Sequence, residues 1–482
     1  MTNGARPNTA ALLALLLSAG CGCSEDGDGA PSSGGTAGSA GVGGGTGGTA
    51  WGTGGTGAAG GSSSGGVGNS GGCGPQPLPK EVPAGWEEYT GYSCGCRFYV
   101  PGPTAAPLDP VEWEACPQPG PIGVSCQRMK TPWTTGSAIR VAPRYWYDST
   151  TDRSYLQFAR LRVADATNTV RHSLVAEADG AIKSALLEVG LGCTLVEAGV
   201  QGGKYVFGAR GQSNGGEITG QEGFTGGSVG QAPTVGHNYA LEQYDQSSWR
   251  MTSEWIIRWK NGLFGRRFDA PDEEVTIFSP GKDVEGLPPY NVQGVGESVL
   301  FRVGSGVTSG VMAWTQSGGV VPVVRYVGDA NRAAGNFGTD GVDMVWTYGE
   351  GTYDQGKFTT QSVMTAPFSL DTATVEKTVR RLRSDPGVQS ALGFAVGSGY
   401  AARRIDDVSS GVENASADLL VVRLVDGVSW QVKMPAATEG PAFMTALGFS
   451  KDEVFATAQF KDASTAIVRI RLDSLGPGTP PD

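Results

Sequence analysis

The chain has 482 residues, 77 of them glycine, with a formal net charge of −11, eight cysteines and two histidines. That acidic balance excludes a nucleic-acid partner, because phosphate contacts require concentrated Lys and Arg. With no H-E-x-x-H, no phosphate-binding loop and no dinucleotide fingerprint leading into a helix, the sequence points to no cofactor and no metal.

At the N-terminus, Ala10–Leu17 is an unbroken apolar run behind a start carrying only Arg6, and Ser18, Ala19 and Gly20 follow it before Cys21. This is the layout of a signal peptide, and it is shorter than the roughly 20 apolar residues a spanning helix needs. Leu17-Ser18-Ala19-Gly20-Cys21 resembles the lipobox of bacterial lipoproteins, although Ser18 stands where that family usually has leucine. The resemblance implies cleavage after residue 20 and acylation of Cys21. An ordinary secretory signal would leave Cys21 a free thiol. Gly22, in place of an inner-membrane retention Asp, favours the outer membrane or cell surface. Lipidation leaves seven cysteines, so at least one is free or paired between molecules.

Residues 21–81 read as a tether. From Gly27 to Gly74, 23 of 48 residues are glycine, and Asp28 is the only charge. Such a composition cannot bury a core and is expected to be disordered, with a root-mean-square span of ~40 Å. Glu25-Asp26-Gly27-Asp28-Gly29 lacks the spacing and closing Glu of a calcium loop.

Residues 82–132 form a lead segment rich in proline, with Cys94, Cys96, Cys116 and Cys126. A loop-rich stretch with little core gains most from disulfides. The expected pairing is Cys116–Cys126 plus one bond from the Cys94-Gly95-Cys96 pair, although four cysteines allow three connectivities. Zinc is the competing reading, but C-x-C with C-x9-C is not a usual zinc spacing and no histidine is near.

Residues 133–476 carry the body, before a tail at 477–482. Short apolar or alternating runs bounded by turn residues predict strands at Tyr155–Val163, Lys204–Ala209, Trp255–Trp259, Val275–Phe278, Ser298–Val303, Val311–Thr315, Val320–Val327, Asp343–Tyr348, Leu419–Val425, Val454–Phe460 and Ala466–Leu472. Ala391-Leu392-Gly393-Phe394 recurs 55 residues later as Ala446-Leu447-Gly448-Phe449, each copy leading into two strands. A multi-strand repeat of ~40–50 residues is the signature of an all-β propeller. The length accommodates six or seven blades, with an N-terminal strand pairing with the last unit to close the ring.

Three local patterns bear on chemistry. Gly211-Gln212-Ser213-Asn214-Gly215 fits G-x-S-x-G, but glycine-rich sequence follows where a nucleophile elbow needs a helix, so a turn between strands is expected. His172 and His237 are the only histidines that could serve as a base, and spacing places neither beside Ser213. Thr339-Asp340-Gly341-Val342-Asp343 is similar to the Asp-box of sialidase-type propellers but lacks the residue between Asp and Gly, and Asp-Gly is itself a favoured hairpin turn. Asp371 is expected to cap a helix over Thr372–Ser384, with Lys377, Arg380, Arg381 and Arg383 on its solvated side.

The combination of lipobox, Gly/Ser/Thr tract, a lead with Trp86, Glu87, Tyr89, Cys94, Val111, Glu112, Trp113, Cys116 and Cys126, then Thr339–Trp346 and a terminal Arg471–Gly476, resembles a recurring kind of myxobacterial surface lipoprotein. That resemblance transfers no catalytic residue. The reading from sequence is a non-enzymatic, membrane-tethered domain binding a glycan or protein. The alternative is a surface glycan-active hydrolase or lyase on a propeller scaffold, for which acid pairs are abundant but their separation is not readable.

Overall fold

The computed structural model describes residues 82–481, apart from 91–96, 119, 131–142, 164–168, 190–192, 215–216, 220–221, 240–247, 281–288, 305–308, 327–331, 355–356, 385–392, 407–416, 435–442 and 461–464. The signal sequence, Cys21, the tether, Cys94 and Cys96 lie outside the described residues. Among the described residues no helix is long and apolar enough to cross a membrane.

The body is a β-propeller. Among the described residues six sheets form, and one of them holds two successive meanders joined by a single parallel pair, Ala417 with Phe443, which makes seven blades. Blade 1 comprises Arg144–Asp148, Arg153–Val163, Thr169–Glu177 and Ile182–Val189. Blade 2 comprises Cys193–Gln201, Lys204–Asn214, Glu222–Ser228 and Val235–Tyr239, with Glu217–Thr219 extending one hairpin. Blade 3 is Ser248–Met251, Trp255–Trp259, Leu263–Arg267 and Glu274–Phe278, and blade 4 is Pro289–Val295, Ser298–Val303, Ser309–Thr315 and Gly319–Tyr326. Blade 5 is Arg332–Thr339, Asp343–Asp354, Lys357–Pro367 and Arg380–Ser384, and blade 6 is Ala395–Gly397, Tyr400–Asp406, Ala417–Arg423 and Ser429–Val432. Blade 7 draws Phe443–Phe449, Glu453–Gln459 and Thr465–Arg471 from the C-terminal end. The first strand of each blade touches the first strand of the next, and that of blade 7 touches that of blade 1, so the ring is closed.

The lead segment supplies the missing outer strand of blade 7. Cys126–Met129 pairs antiparallel with Thr465–Arg471, setting Gln127 opposite Arg469, and Trp113–Ala115 adds beyond it. Farther upstream, Trp86–Tyr89 and Arg97–Pro101 extend blade 1, with Tyr99 opposite Leu187. The lead is therefore woven into the propeller at both sides of its closing seam. Cys116 and Cys126 form a disulfide with a Cα–Cα distance of 5.5 Å, closing a loop within this lead segment, hereafter the strap.

Period-two alternation explains why blade strands are apolar on both faces. In blade 7, Val454, Ala456, Val468 and Ile470 point to a core shared with Leu419 and Val421 of blade 6. Phe455 and Ile467 point the other way, into a core with Leu156, Phe158 and Leu174 of blade 1. Each blade is thus sandwiched, and burial on both faces favours the branched and aromatic residues found there. The two phenylalanines of the 55-residue echo both flank inner strands but at opposite ends: Phe394 leads into the first strand of blade 6, Phe449 ends that of blade 7, and both are buried.

One expected element is shorter than its pattern. Asp371 caps a helix, α1 (Thr372–Thr378), accepting from the Ala373 and Thr374 amides, but the helix ends at Val379 in extended backbone. Arg380–Ser384 is the fourth strand of blade 5, paired with Lys357–Pro367. The sheet's need for an outer strand overrides the helical spacing, and the arginines sit on a sheet edge.

Candidate functional site

A cleft of about 1060 Å³ opens on the face where turns of blades 1, 6 and 7 meet. Its walls come from the Asp152 turn, the turn after Glu177, the Ser450–Glu453 turn and the end of the Thr465–Arg471 strand, with Tyr400 and Trp430 at one side. Six carboxylates line it (Asp152, Glu177, Asp179, Asp452, Glu453, Asp473) against four cations (Arg153, Arg423, Lys451, Arg471), leaving it acidic.

Most of these charges are committed. Glu177 takes Arg153 at 2.8 Å and Lys183 at 3.1 Å, Arg423 pairs with Asp426, and Arg471 pairs with Asp473. Asp152 accepts from the Tyr147 hydroxyl at 2.7 Å, a bond that, with burial, pushes Tyr147 up to about 12.

Glu453 differs. It begins the second strand of blade 7, and period two puts it on the same face as Phe455, at the rim of the core shared with blade 1. It is half-buried, and its Oε1 lies 3.7 Å from the Arg469 Nε. Burial raises its pKa above the carboxylate norm; Arg469 lowers it, Asp179 raises it, Arg471 lowers it and Asp452 raises it again. A carboxyl so held keeps its proton more readily than an exposed one.

Asp179 is the second carboxylate. It sits in the turn between the third and fourth strands of blade 1, exposed, and pairs with Nη1 of the same Arg469. Both carboxylates thus contact one guanidinium, Glu453 at its Nε and Asp179 at its Nη1. Tyr400 and Trp430, with ring centroids 6.2 Å apart, give the cleft an aromatic side.

The inner strands line a smaller central cavity of about 240 Å³, walled by Arg144, Gln201, Arg250, Gln293 and Leu447 among others. Arg250 is anchored there, donating to the Val292 and Trp249 carbonyls.

The motifs singled out from sequence lie elsewhere. Ser213 is inside the second strand of blade 2, facing Ile218 across a hairpin, so no elbow forms. His172 packs beside Trp86, and His237 beside Phe224 and Tyr239, where burial and the charge of Arg266 lower its pKa. Asp340 closes the hairpin of blade 5, its carboxylate accepting from the Val342 and Asp343 amides, with Gly341 at φ +90°. Among the described residues, no group of three or more His, Cys, Asp or Glu is placed to hold a metal ion. Asp179, Glu453 and Arg469 were not separable in sequence from other charges. The one local signal is at Arg469, a charge between Val468 and Ile470 in the strand Thr465–Arg471.

No protein-family model and no curated protein matches the chain. Solved structures do. A prolyl endopeptidase aligns over 78% of this chain and 55% of its own at 11% identity, with a TM-score of 0.41. Oligopeptidase B of Leishmania major aligns over 69% and 49% at 11% identity (TM-score 0.39), and prolyl oligopeptidase B of Galerina marginata over 76% and 53% at 7% identity (TM-score 0.41). The chain spans about half the length of these structures. Their likeness concerns the fold. These neighbours are peptidases, which corrects the non-enzymatic binding domain for glycan or protein as the leading expectation, the alternative having been a surface glycan-active hydrolase or lyase on a propeller scaffold.

Proposed function

We propose that this protein is an exported hydrolase acting on glycans, with its active cleft at the closing seam of the propeller. The observation that carries the reading is Glu453, half-buried with a raised pKa in a large cleft, beside Asp179 on a shared guanidinium. Glu453 donates a proton to the leaving glycosidic oxygen, and Asp179 receives one from the attacking water, a division of labour that a half-buried and an exposed carboxyl group permit. Tyr400 and Trp430 seat a neighbouring sugar ring. The lipobox at Leu17–Cys21 and the long Gly-rich tract support display of this cleft on a tether from the outer membrane, in the manner of a myxobacterial surface lipoprotein.

The test is reducing-end release from a panel of bacterial and plant polysaccharides, with peptides as the comparison substrates. Glu453→Gln should lower the rate by at least ~100-fold, the scale of a lost general acid. A wild-type protein that cleaves no glycan, or a Glu453→Gln variant that retains its rate, would overturn the reading.

A further inference from the structure

The residue that draws the two carboxylates together belongs to neither, and the segment that steadies it comes from the far end of the chain. Arg469 lies in the last strand of blade 7 with its side chain only 17% exposed. Its Nε donates to the Gln127 Oε1 at 2.8 Å, its Nη1 pairs with Asp179, and its guanidinium lies 4.6 Å from the Trp113 ring centroid. Gln127 and Trp113 both belong to the lead segment.

The same segment grips the turn that carries Asp179. The Trp113 indole donates to the Ala178 carbonyl at 2.7 Å, and the Val111 amide donates to the Gly180 carbonyl at 2.9 Å. Asp179 is thus bracketed by two hydrogen bonds from the strap, while its carboxylate reaches Arg469 across the seam. The strap itself is fixed by strand pairing, Gln127 opposite Arg469, and by the Cys116–Cys126 disulfide.

We infer that Arg469 is the positioning residue of the cleft, and that residues 111–129 form a clamp that sets Asp179 against Glu453 through it. This rests on the reading of Glu453 and Asp179 as the working pair. The clamp ties closure of the ring to completion of the site: wherever the strap leaves blade 7, Gln127 and Trp113 leave Arg469, and the Asp179 turn loses both backbone anchors. A guanidinium shared between two carboxylates, stacked on an indole and fixed by an amide, keeps little rotational freedom, which is what precise placement of reacting groups requires.

The test is site-resolved NMR titration of Glu453 in the full chain, alongside hydrolysis of the best polysaccharide. The charged and titratable groups around Glu453 are Arg469, Arg471, Asp179, Asp452 and Tyr145. Arg469→Met removes the nearest cation, so the Glu453 midpoint should move up. Asp179→Asn removes an anion, so it should move down. Trp113→Phe keeps a ring under the guanidinium but loses the bond to Ala178, and should lower kcat by about tenfold while KM changes little. Arg469→Lys keeps the charge without the fork and should restore the Glu453 midpoint more fully than the rate. Should Arg469→Met fail to fold, Asp179→Asn, altered at an exposed side chain, still carries the titration. An unmoved Glu453 midpoint in both variants overturns the clamp, as does a Trp113→Phe variant with wild-type kcat. Opposite shifts in the two variants of a protein that cleaves no glycan would support the clamp and remove the hydrolase reading. An active wild type whose midpoint ignores both changes would do the reverse.

Discussion

Ring closure makes a sharp demand at Gly448. This residue lies at a bulge in the first strand of blade 7, and a Cβ built there would stand 2.0 Å from Tyr145 Cδ1 and 2.5 Å from Cε1, against ~3.5–4.0 Å for comfortable carbon contact. Tyr145 cannot yield cheaply. Its ring stacks on Phe455 at 4.9 Å, and its hydroxyl shares a hydrogen bond with Ser154 at 2.8 Å. Gly448→Ala therefore faces ~1–3 kcal/mol of overpacking, together with part of a stacking contact worth ~0.5–1.5 kcal/mol and a hydrogen bond worth ~0.5–1.5 kcal/mol. The lower entropy of an unfolded alanine returns ~0.4–1 kcal/mol, leaving a net loss of about 2–4 kcal/mol. Equilibrium urea denaturation measures it, and the Tyr145→Leu background supplies the control, where the smaller side chain should cut the cost of Gly448→Ala below about 1 kcal/mol. Equal costs in both backgrounds, or a loss under about 0.5 kcal/mol in the wild type, would refute contact between blades 1 and 7 as the source.

Two further outcomes are expected. Replacing Cys116 and Cys126 by serine opens a bond spanning a sequence separation of 10 and should cost ~2.7 kcal/mol by loop-closure entropy; a reductant should bring the wild type to the variant's midpoint and leave the variant unmoved. Glu453→Gln should separate activity from stability. Because burial raises the folded pKa of Glu453 above the ordinary 4.5, its favourable contribution is complete below the unfolded value and is lost as pH rises through the folded one. The variant should therefore gain stability over the wild type near pH 7 and lose that advantage below about pH 4, and urea midpoints across that range check it.

The parts of the fold legible in the sequence are those built from local contrast. The run Ser298–Val303 is a strand with the same bounds in the structure, and Trp255–Trp259 likewise, because a buried blade strand is apolar on both faces and its turns are glycine-rich. The repeat was legible because Phe394 and Phe449 are both buried beside inner strands. Local contrast fails where a neighbour decides. The spacing of Val375, Val379 and Leu382 is helical, yet Leu382 is buried as a strand residue because blade 5 has an open edge beside it. It fails more completely at the cleft. Asp179 and Arg469 are 290 residues apart and meet only because the ring closes, so no window of sequence contains the site.

The seam also explains why specific polar pairs collect there. Each interface from blade 1 to blade 7 joins segments adjacent in the chain, so the connecting turns limit how far one strand can slide past another. The last interface has no such turn. Cys126–Met129 must find its register on Thr465–Arg471 from the opposite end of the protein, and a slip of two residues would keep apolar side chains on their proper faces while misplacing every contact. Apolar burial discriminates poorly between those registers. Charged and hydrogen-bonded contacts do so sharply, since Arg469 slipped from Gln127 and Asp179 would be a largely buried cation without its partners. Arg128 with Glu114 at 2.6 Å pins the strap's own hairpin in the same way, and the disulfide links its two arms covalently. Of the groups that fix the register of closure, Arg469 contacts two residues of the cleft wall, Asp179 and Glu453, which gives a physical reason for the site to lie at this interface and not at the six that the chain's own turns already align.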